Sequence, residues 1–295
     1  MVNLTVEQIG LLPTTEEIEQ YKQKGWYITK PIFSEHEIEQ ALLGIKRHYQ
    51  GERDTELPEK VKPHLLDWKT DTLRVDTYIA HYNHQVRQLM KNPLVGACAA
   101  LLTGSNEIRL FNSVLVHKLP KERACQDQTS IGWHTDLAYF KTCTSEKILA
   151  VWIPLQDSDE TMGSPSFLEG SHLKQHDNHF NNLAEKKNFI CDDFAAFEKQ
   201  LLVSNQSMKI VHTQLRKGQC CFLDSKVFHY TGPNISEHHR FAVTLFLQDK
   251  DNRFRKVYDE DNKLIYHTND LLCRSLSDGS PDYSDPTFCP LLWTT

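Results

Sequence analysis

Apolar positions change their spacing partway along the chain. Two Ser/Thr-x-x-Glu capping boxes, Thr14 to Glu17 and Ser34 to Glu37, predict helix starts near the N-terminus. The first helix should stop near Gly25, and the second carries Ile38, Ala41, Leu42 and Ile45 on one face. Between them Trp26-Tyr27-Ile28 reads as a short strand, and residues 51–75, polar and proline-dotted, read as a loop. Asn83–Met90 and Pro93–Leu102 are predicted helices, the latter with Pro in its first turn. From Glu107 the β-branched and aromatic stretch "EIRLFNSVLVHKLP" predicts a long strand. Strand-like runs follow at 131–140, 148–156, 208–213, 219–223, 227–231 and 240–248, divided by Gly/Pro/Asn/Ser turns.

Helices first and then many short strands without helices between them argue for an antiparallel sandwich or barrel, mainly β with flanking helices. No linker is visible. The expectation is one domain: a helical flank at 1–106, a β core at 107–249 with a polar insertion at 172–205, and an extension at 250–295 that could act as a lid.

Bulk composition narrows the class. The 295 residues are 39% hydrophobic and 24% charged, enough for a soluble fold with a substantial core. A net charge of −6 without a Lys/Arg-rich run disfavours nucleic acid and anionic membranes as partners. The N-terminal sequence lacks signal-peptide features, and the longest apolar run, 148–155, is far too short to span a bilayer. Eight cysteines without a Cys-x-x-Cys pair predict free thiols, no zinc and a cytoplasmic location.

Candidate chemistry begins at "SIGWHTDLAYF", 130–140, which holds the chain's one His-x-acid triplet, His134-Thr135-Asp136. On a strand, residues two apart share a face, so this imidazole and carboxylate would sit side by side. A third ligand must come from elsewhere. The downstream histidines are His172, His176, His179, His212, His229, His238, His239 and His267. His229 is best placed, just after a strand and before a Gly-Pro-Asn turn. Arg240 then opens an apolar strand, and a hairpin through 232–238 would return it beside His229 and Thr231. An inward Arg needs an anion, and its fork suits a carboxylate. Two His, one carboxylate and open positions form the ligand set of non-haem Fe(II) oxygenases.

Four segments carry a resemblance: "WHTDL", "AVWIPLQDSDETMGSPSFLEGSH" (150–172), "KGQCCFLDSKVFHYTGPN" (217–234) followed by Arg240, and "SVLVHKLP". With these segments in their chain order, "SVLVHKLP" first, the chain from roughly Gly25 to Leu247 resembles the phytanoyl-CoA dioxygenase (PhyH) family of Fe(II)/2-oxoglutarate oxygenases. The resemblance implies a distorted double-stranded β-helix, a cupin-like jelly roll, with iron on His134, Asp136 and His229. It implies 2-oxoglutarate as co-substrate with O2, its far carboxylate on Arg240 and Thr231, and Trp152 and Val114 lining its pocket. Halogenating relatives lack the metal carboxylate, so Asp136 points to hydroxylation. Val114 stands where many relatives carry a polar residue, and Tyr230 replaces a small one.

A small-molecule substrate is expected, with its determinants in 51–75, 172–205 and 250–295. Candidate contacts are Tyr139, Phe140, Tyr230, Phe111, Trp68 and Arg74, with Asp71 and the acids at 192–193 behind them. No basic cluster suited to an acyl-CoA stands out, which favours a tailoring step in natural-product biosynthesis; a loose likeness to cylindrospermopsin-type hydroxylases is tied to no motif. Acyl-CoA hydroxylation, desaturation, cyclisation and epimerisation are the rival outcomes at the same iron. From another class, a cupin-like metal-binding protein without activity is the rival, and an intact ligand set with Arg240 counts against it.

Overall fold

The computed structural model describes residues 4–70, 72–121, 129–174, 177–189, 194–203 and 208–295. Asp71, His176 and the acids at 192–193 lie outside them.

Strands follow in chain order as β1 (Trp26–Ile28), β2 (Trp68–Lys69), β3 (Leu73–Thr77), β4 (Glu107–Lys118), β5 (Ile131–His134), β6 (Leu149–Pro154) and β7 (Pro165–Leu168). After the insertion come β8 (Ile210–His212), β9 (Cys221–Asp224), β10 (His229–Thr231), β11 (Arg240–Asp249), β12 (Val257–Tyr258), β13 (Leu264–Ile265) and β14 (Leu291–Thr294). Two antiparallel sheets enclose the interior. The large one runs β1-β9-β6-β11-β4-β3-β2, with β14 added to β4, and the small one runs β5-β10-β7-β8. This is the expected jelly roll.

Alternation along the large sheet explains how it is sealed. Leu115, Val151, Ile153, Val243, Leu245 and Leu247 face outward into a core with the N-terminal helices. Their partners there include Ile38, Ile45, Val86, Leu89, Leu94 and Val95. Each such side chain contributes about 1.5–3 kcal/mol on burial. The intervening Val114, Trp152 and Arg240 face inward around a cavity. A period of two thus splits one strand between stability and chemistry.

The capping boxes act as read. Thr14 and Ser34 cap helices Thr15–Lys24 and Glu35–Tyr49, and Gly25 ends the first in the left-handed region at φ 85°. Two segments depart from expectation. The stretch at 51–75 is more than a loop, because β3 pairs with β4 from Leu73↔Lys118 to Thr77↔Val114. The C-terminal extension is more than a lid, because β14 also pairs with β4, at Leu291↔Arg109. Both were hidden by polar, turn-rich surroundings whose strands are short. The insertion's helices, Asn178–Ala184 and Phe194–Val203, pack Phe180, Leu183 and Phe197 with Trp133 and Phe228 of the small-sheet region. The six described cysteines are free thiols.

Candidate active site

β5 and β10 pair so that His134 stands opposite His229, with ring centroids 4.2 Å apart. Each ring is oriented by its own chain. His134 Nδ1–H donates to the Gly132 carbonyl at 2.7 Å, and His229 Nδ1–H donates to the Val227 carbonyl at 3.1 Å. That fixes the tautomer and leaves both Nε2 lone pairs available to a metal. Both Nε2 atoms lie 3.8 Å from Asp136 Oδ1.

Asp136 arrives differently from the expected strand. β5 stops at His134, and Asp136 opens a 3-10 turn, Asp136–Tyr139. The Leu137 N–H, donating to the Ser225 carbonyl at 2.9 Å, pins this turn. The carboxylate therefore converges on the imidazoles because the chain bends, not because residues two apart share a pleat. Potential ligand atoms of the three residues all lie within 4.8 Å of one another, and all three residues are buried. Asp136 Oδ2 has no hydrogen-bond partner among the described residues. Burial, with the charge of Asp224, pushes the Asp136 carboxyl up to about 6, against the pull of His134. Burial holds the imidazoles down, His134 to about 3 and His229 to about 4. At neutral pH the set is one carboxylate and two neutral imidazoles, which suits a divalent cation.

The expected hairpin does not exist. Arg240 lies on β11, paired with β4 and β6, whereas His229 and Thr231 lie on β10 in the other sheet. The 232–238 connection crosses between sheets, and the two strands face each other across the interior. They still meet: a cavity of about 80 Å³ is lined by His134, Asp136, His229, Thr231, Arg240, Trp152 and Val114. Arg240 is fully buried, and none of its three guanidinium nitrogens has a hydrogen-bond partner among the described residues. Its charge sits 5.8 Å from the Trp152 ring centroid, and burial pushes it down to about 9. A buried, unpaired guanidinium facing a small cavity fits an anion. Lys118, the register partner of Arg240, is also fully buried. It is four residues beyond Val114 on the same inward face, a signal that alternation along "SVLVHKLP" offered but that a charged residue in a predicted strand obscured.

A second cavity of about 380 Å³ opens on the other side of His134 and Asp136. Three of the candidate substrate contacts, Tyr139, Phe140 and Trp68, line it, and so does Val114, expected as a co-substrate contact. Three other candidates do not. Arg74 forms two 2.7 Å hydrogen bonds to Asp76 and lies 4.0 Å over the Tyr49 ring, on the opposite face of β3 from Val75. Tyr230 packs against Trp133 at 4.4 Å, because it alternates with the inward His229 and Thr231. Phe111 is core, edge-on to Phe140 and Tyr283. Unforeseen wall residues are Phe189 and Lys187 from the insertion, Asn112 and Phe246 from the large sheet, and His267 from the extension. His172 instead reaches the Lys22 carbonyl, and His239 bonds His117.

The absence of a basic cluster also needs correction. A groove of about 960 Å³ beyond Thr135 and Leu137 is bordered by Lys141, Lys174, Lys226, Arg255 and Lys256. These come from separate segments, so no run betrayed them. Glu185, Asp259 and Glu260 are interspersed there.

Comparison with known proteins agrees with this geometry. The family model for phytanoyl-CoA dioxygenase (PhyH) matches residues 16–242. A phytanoyl-CoA dioxygenase domain-containing protein 1 homolog of Caenorhabditis elegans is 20% identical over 266 residues, covering 79% of this chain and 90% of that protein. Its Dictyostelium discoideum counterpart is 29% identical over 143 residues, a match spanning 44% of each chain and so less than half of that relative. Among solved structures, the 2-oxoglutarate-dependent epimerase SnoN of nogalamycin biosynthesis superposes with a TM-score of 0.67 at 20% identity, covering 94% of this chain and 97% of SnoN. The carbocyclase SnoK of the same biosynthesis gives 0.67 at 20%, covering 95% and 96%. EctD of S. alaskensis, solved with 2-oxoglutarate and 5-hydroxyectoine, gives 0.61 at 16%, covering 86% and 81%. At these identities the structural likeness establishes the fold, and the matched model establishes the family. The chain belongs to the phytanoyl-CoA dioxygenase (PhyH) family of Fe(II)/2-oxoglutarate-dependent enzymes.

Proposed function

We propose that this protein is a 2-oxoglutarate-dependent hydroxylase of a small molecule, with Fe(II) held by His134, Asp136 and His229. One observation carries the reading: three convergent ligand residues and an unpaired buried guanidinium share a single cavity. Fe(II), 2-oxoglutarate and O2 together supply an oxidant able to break an unactivated C–H bond, yielding succinate and CO2. The chain's own groups do the rest. The Gly132 and Val227 carbonyls hold the imidazoles in the ligating tautomer, while Arg240 and Thr231 bind the distal carboxylate of the co-substrate. Trp152 and Val114 wall this end with apolar surface that excludes water and strengthens the Arg–carboxylate pair.

The substrate would enter the 380 Å³ cavity, between Trp68, Tyr139 and Phe140. Segments 51–75, 172–205 and 250–295 each contribute to that wall, through Trp68, Phe189 and His267. This supports reading the chain as one domain whose extension is a fixed wall. Its partly aromatic lining suits a compact natural product undergoing a late tailoring step in the cytoplasm. No described helix is long and apolar enough to cross a membrane. Epimerisation and ring closure, the activities of SnoN and SnoK, are the second reading, because those folds match over nearly the whole chain.

Anaerobic addition of Fe(II) and 2-oxoglutarate should produce a weak visible charge-transfer band that His229→Ala abolishes. A succinate-release screen over candidate substrates should then give a product heavier by one oxygen atom. A missing band in the wild type overturns the oxygenase reading, while succinate with a product of unchanged mass or two hydrogens lighter replaces hydroxylation by epimerisation or ring closure.

A further inference from the structure

Lys118 ends β4 at the register position where Arg240 begins β11, and both side chains are wholly buried. The two basic side chains stand together in the interior; burial pushes both titrations down, and for Lys118 the charge of Arg240 pushes the same way. Unlike Arg240, Lys118 is fully engaged. Its Nζ donates to Thr231 Oγ1 at 2.6 Å, to the Gly232 carbonyl at 2.6 Å and to the Thr231 carbonyl at 3.2 Å. An ammonium has three N–H donors and no lone pair, so these acceptors use all its hydrogens.

The consequence falls on Thr231. Its Oγ1 must accept from Lys118, and its own hydroxyl hydrogen has no acceptor among the described residues. Thr231 borders the 80 Å³ cavity together with Arg240. The seat of Lys118 is tightly built. Asn234 Nδ2 reaches the Lys118 carbonyl at 3.4 Å and the His238 carbonyl at 2.7 Å. Gly163 packs so closely that an added Cβ would collide with the Gly232 carbonyl and come within 3.0 Å of Lys118 Nζ.

We propose that Lys118 is a positioning residue for the co-substrate, holding the Thr231 hydroxyl so that its hydrogen is directed, beside Arg240, at the distal carboxylate of 2-oxoglutarate. Lys118 does not touch the co-substrate. The Thr231 hydroxyl so held, together with Arg240, makes this end selective for a 2-oxoacid with a second carboxylate. The inference rests on the co-substrate site proposed above.

The test compares two acids of equal carbon number, 2-oxoglutarate and 2-oxopentanoate, the latter lacking the distal carboxylate. Binding to the Fe(II)-loaded protein is titrated anaerobically by the charge-transfer band and by calorimetry. Lys118→Met should weaken 2-oxoglutarate by about tenfold or more, the scale of a hydrogen bond to a charged group, and 2-oxopentanoate by less than about twofold. Thr231→Val should show the same selective loss, and Thr231→Ser should restore binding. The double variant Lys118→Met/Thr231→Val should lose little more than the worse single one, because the two act as a unit. Should Lys118→Met not fold, Lys118→Gln carries the comparison and should show the same selective loss, since its amide is one bond shorter than the lysine chain and gives up the contact with Thr231 Oγ1. Equal losses for both acids, no loss, or losses that multiply in the double variant would overturn the role of Lys118. Failure of the wild type to bind 2-oxoglutarate would instead remove the functional reading beneath it.

Discussion

The small sheet presents His134 and His229 with Nδ1 already bonded to backbone carbonyls two residues away, whereas the large sheet presents the Arg240 guanidinium with no hydrogen-bond partner among the described residues. The candidate metal end is therefore arranged locally: each imidazole is aimed by a bond to the carbonyl two residues before it. The anion end is held against its electrostatics. A buried unpaired cation costs several kcal/mol, and the outward face of the same strand, Val243, Leu245 and Leu247 against the helices, offsets it. One end is set by short-range geometry; the other is held by long-range packing, and in the function proposed above an anion would relieve it.

That contrast is sharpest in Arg240→Met. Loss of the carboxylate partner should weaken 2-oxoglutarate by about 100-fold, within the 2–5 kcal/mol typical of breaking a buried charge pair. The same substitution should raise the melting temperature of the ligand-free, metal-free protein by roughly 2–4 °C, about 1 kcal/mol, because it removes the unpaired charge. A ligand-free protein that is less stable than wild type would contradict the strained-end description. Calorimetry with and without 2-oxoglutarate reads both effects.

At the metal end the corresponding probe is pH. Metal needs the ionised carboxylate, and the Asp136 carboxyl is pushed up to about 6 while His229 and His134 are held to about 4 and 3. Protons compete at Asp136 first, so apparent Co(II) affinity should be flat above pH 6 and fall about tenfold per pH unit below it. The slope should steepen only near pH 4, where His229 begins to titrate. A two-proton slope already at pH 6 would show that the imidazoles are not the neutral, locally satisfied ligands described.

The smallest effect is expected from Arg74→Ala. The guanidinium is tied to Asp76 and stacked on Tyr49, away from both cavities. Turnover and 2-oxoglutarate affinity should stay within about twofold, in line with substitutions remote from a site. A larger kinetic loss would place Arg74 back among the substrate contacts.

Legibility followed the range of the interactions. The caps at Thr14 and Ser34, the Gly25 stop and the long strand at Glu107–Lys118 arise from nearest-neighbour chemistry and periodicity, and they read directly. Tyr230 could have been excluded by the same alternation that places His229 and Thr231 inward. Lys118 was reachable by counting in twos from Val114, but a charge at the end of an apolar strand reads as an exposed terminus until burial is known. Strand β3 was missed because its partner, β4, begins some thirty residues later, and pairing partners leave no local mark.

By itself the sequence determined the β-rich fold behind helices and the residue types of the site: a His-x-Asp, a distal His and an inward Arg. These rest on periodicity and on the ligand preferences of side chains, which are properties of short segments. Only the tertiary structure decided that Asp136 converges through a turn, that Arg240 faces His229 from another sheet, and that Lys118 stands behind Thr231. Those relations depend on which strands pair and which charges are buried, and both are settled by packing between residues that can lie more than a hundred positions apart.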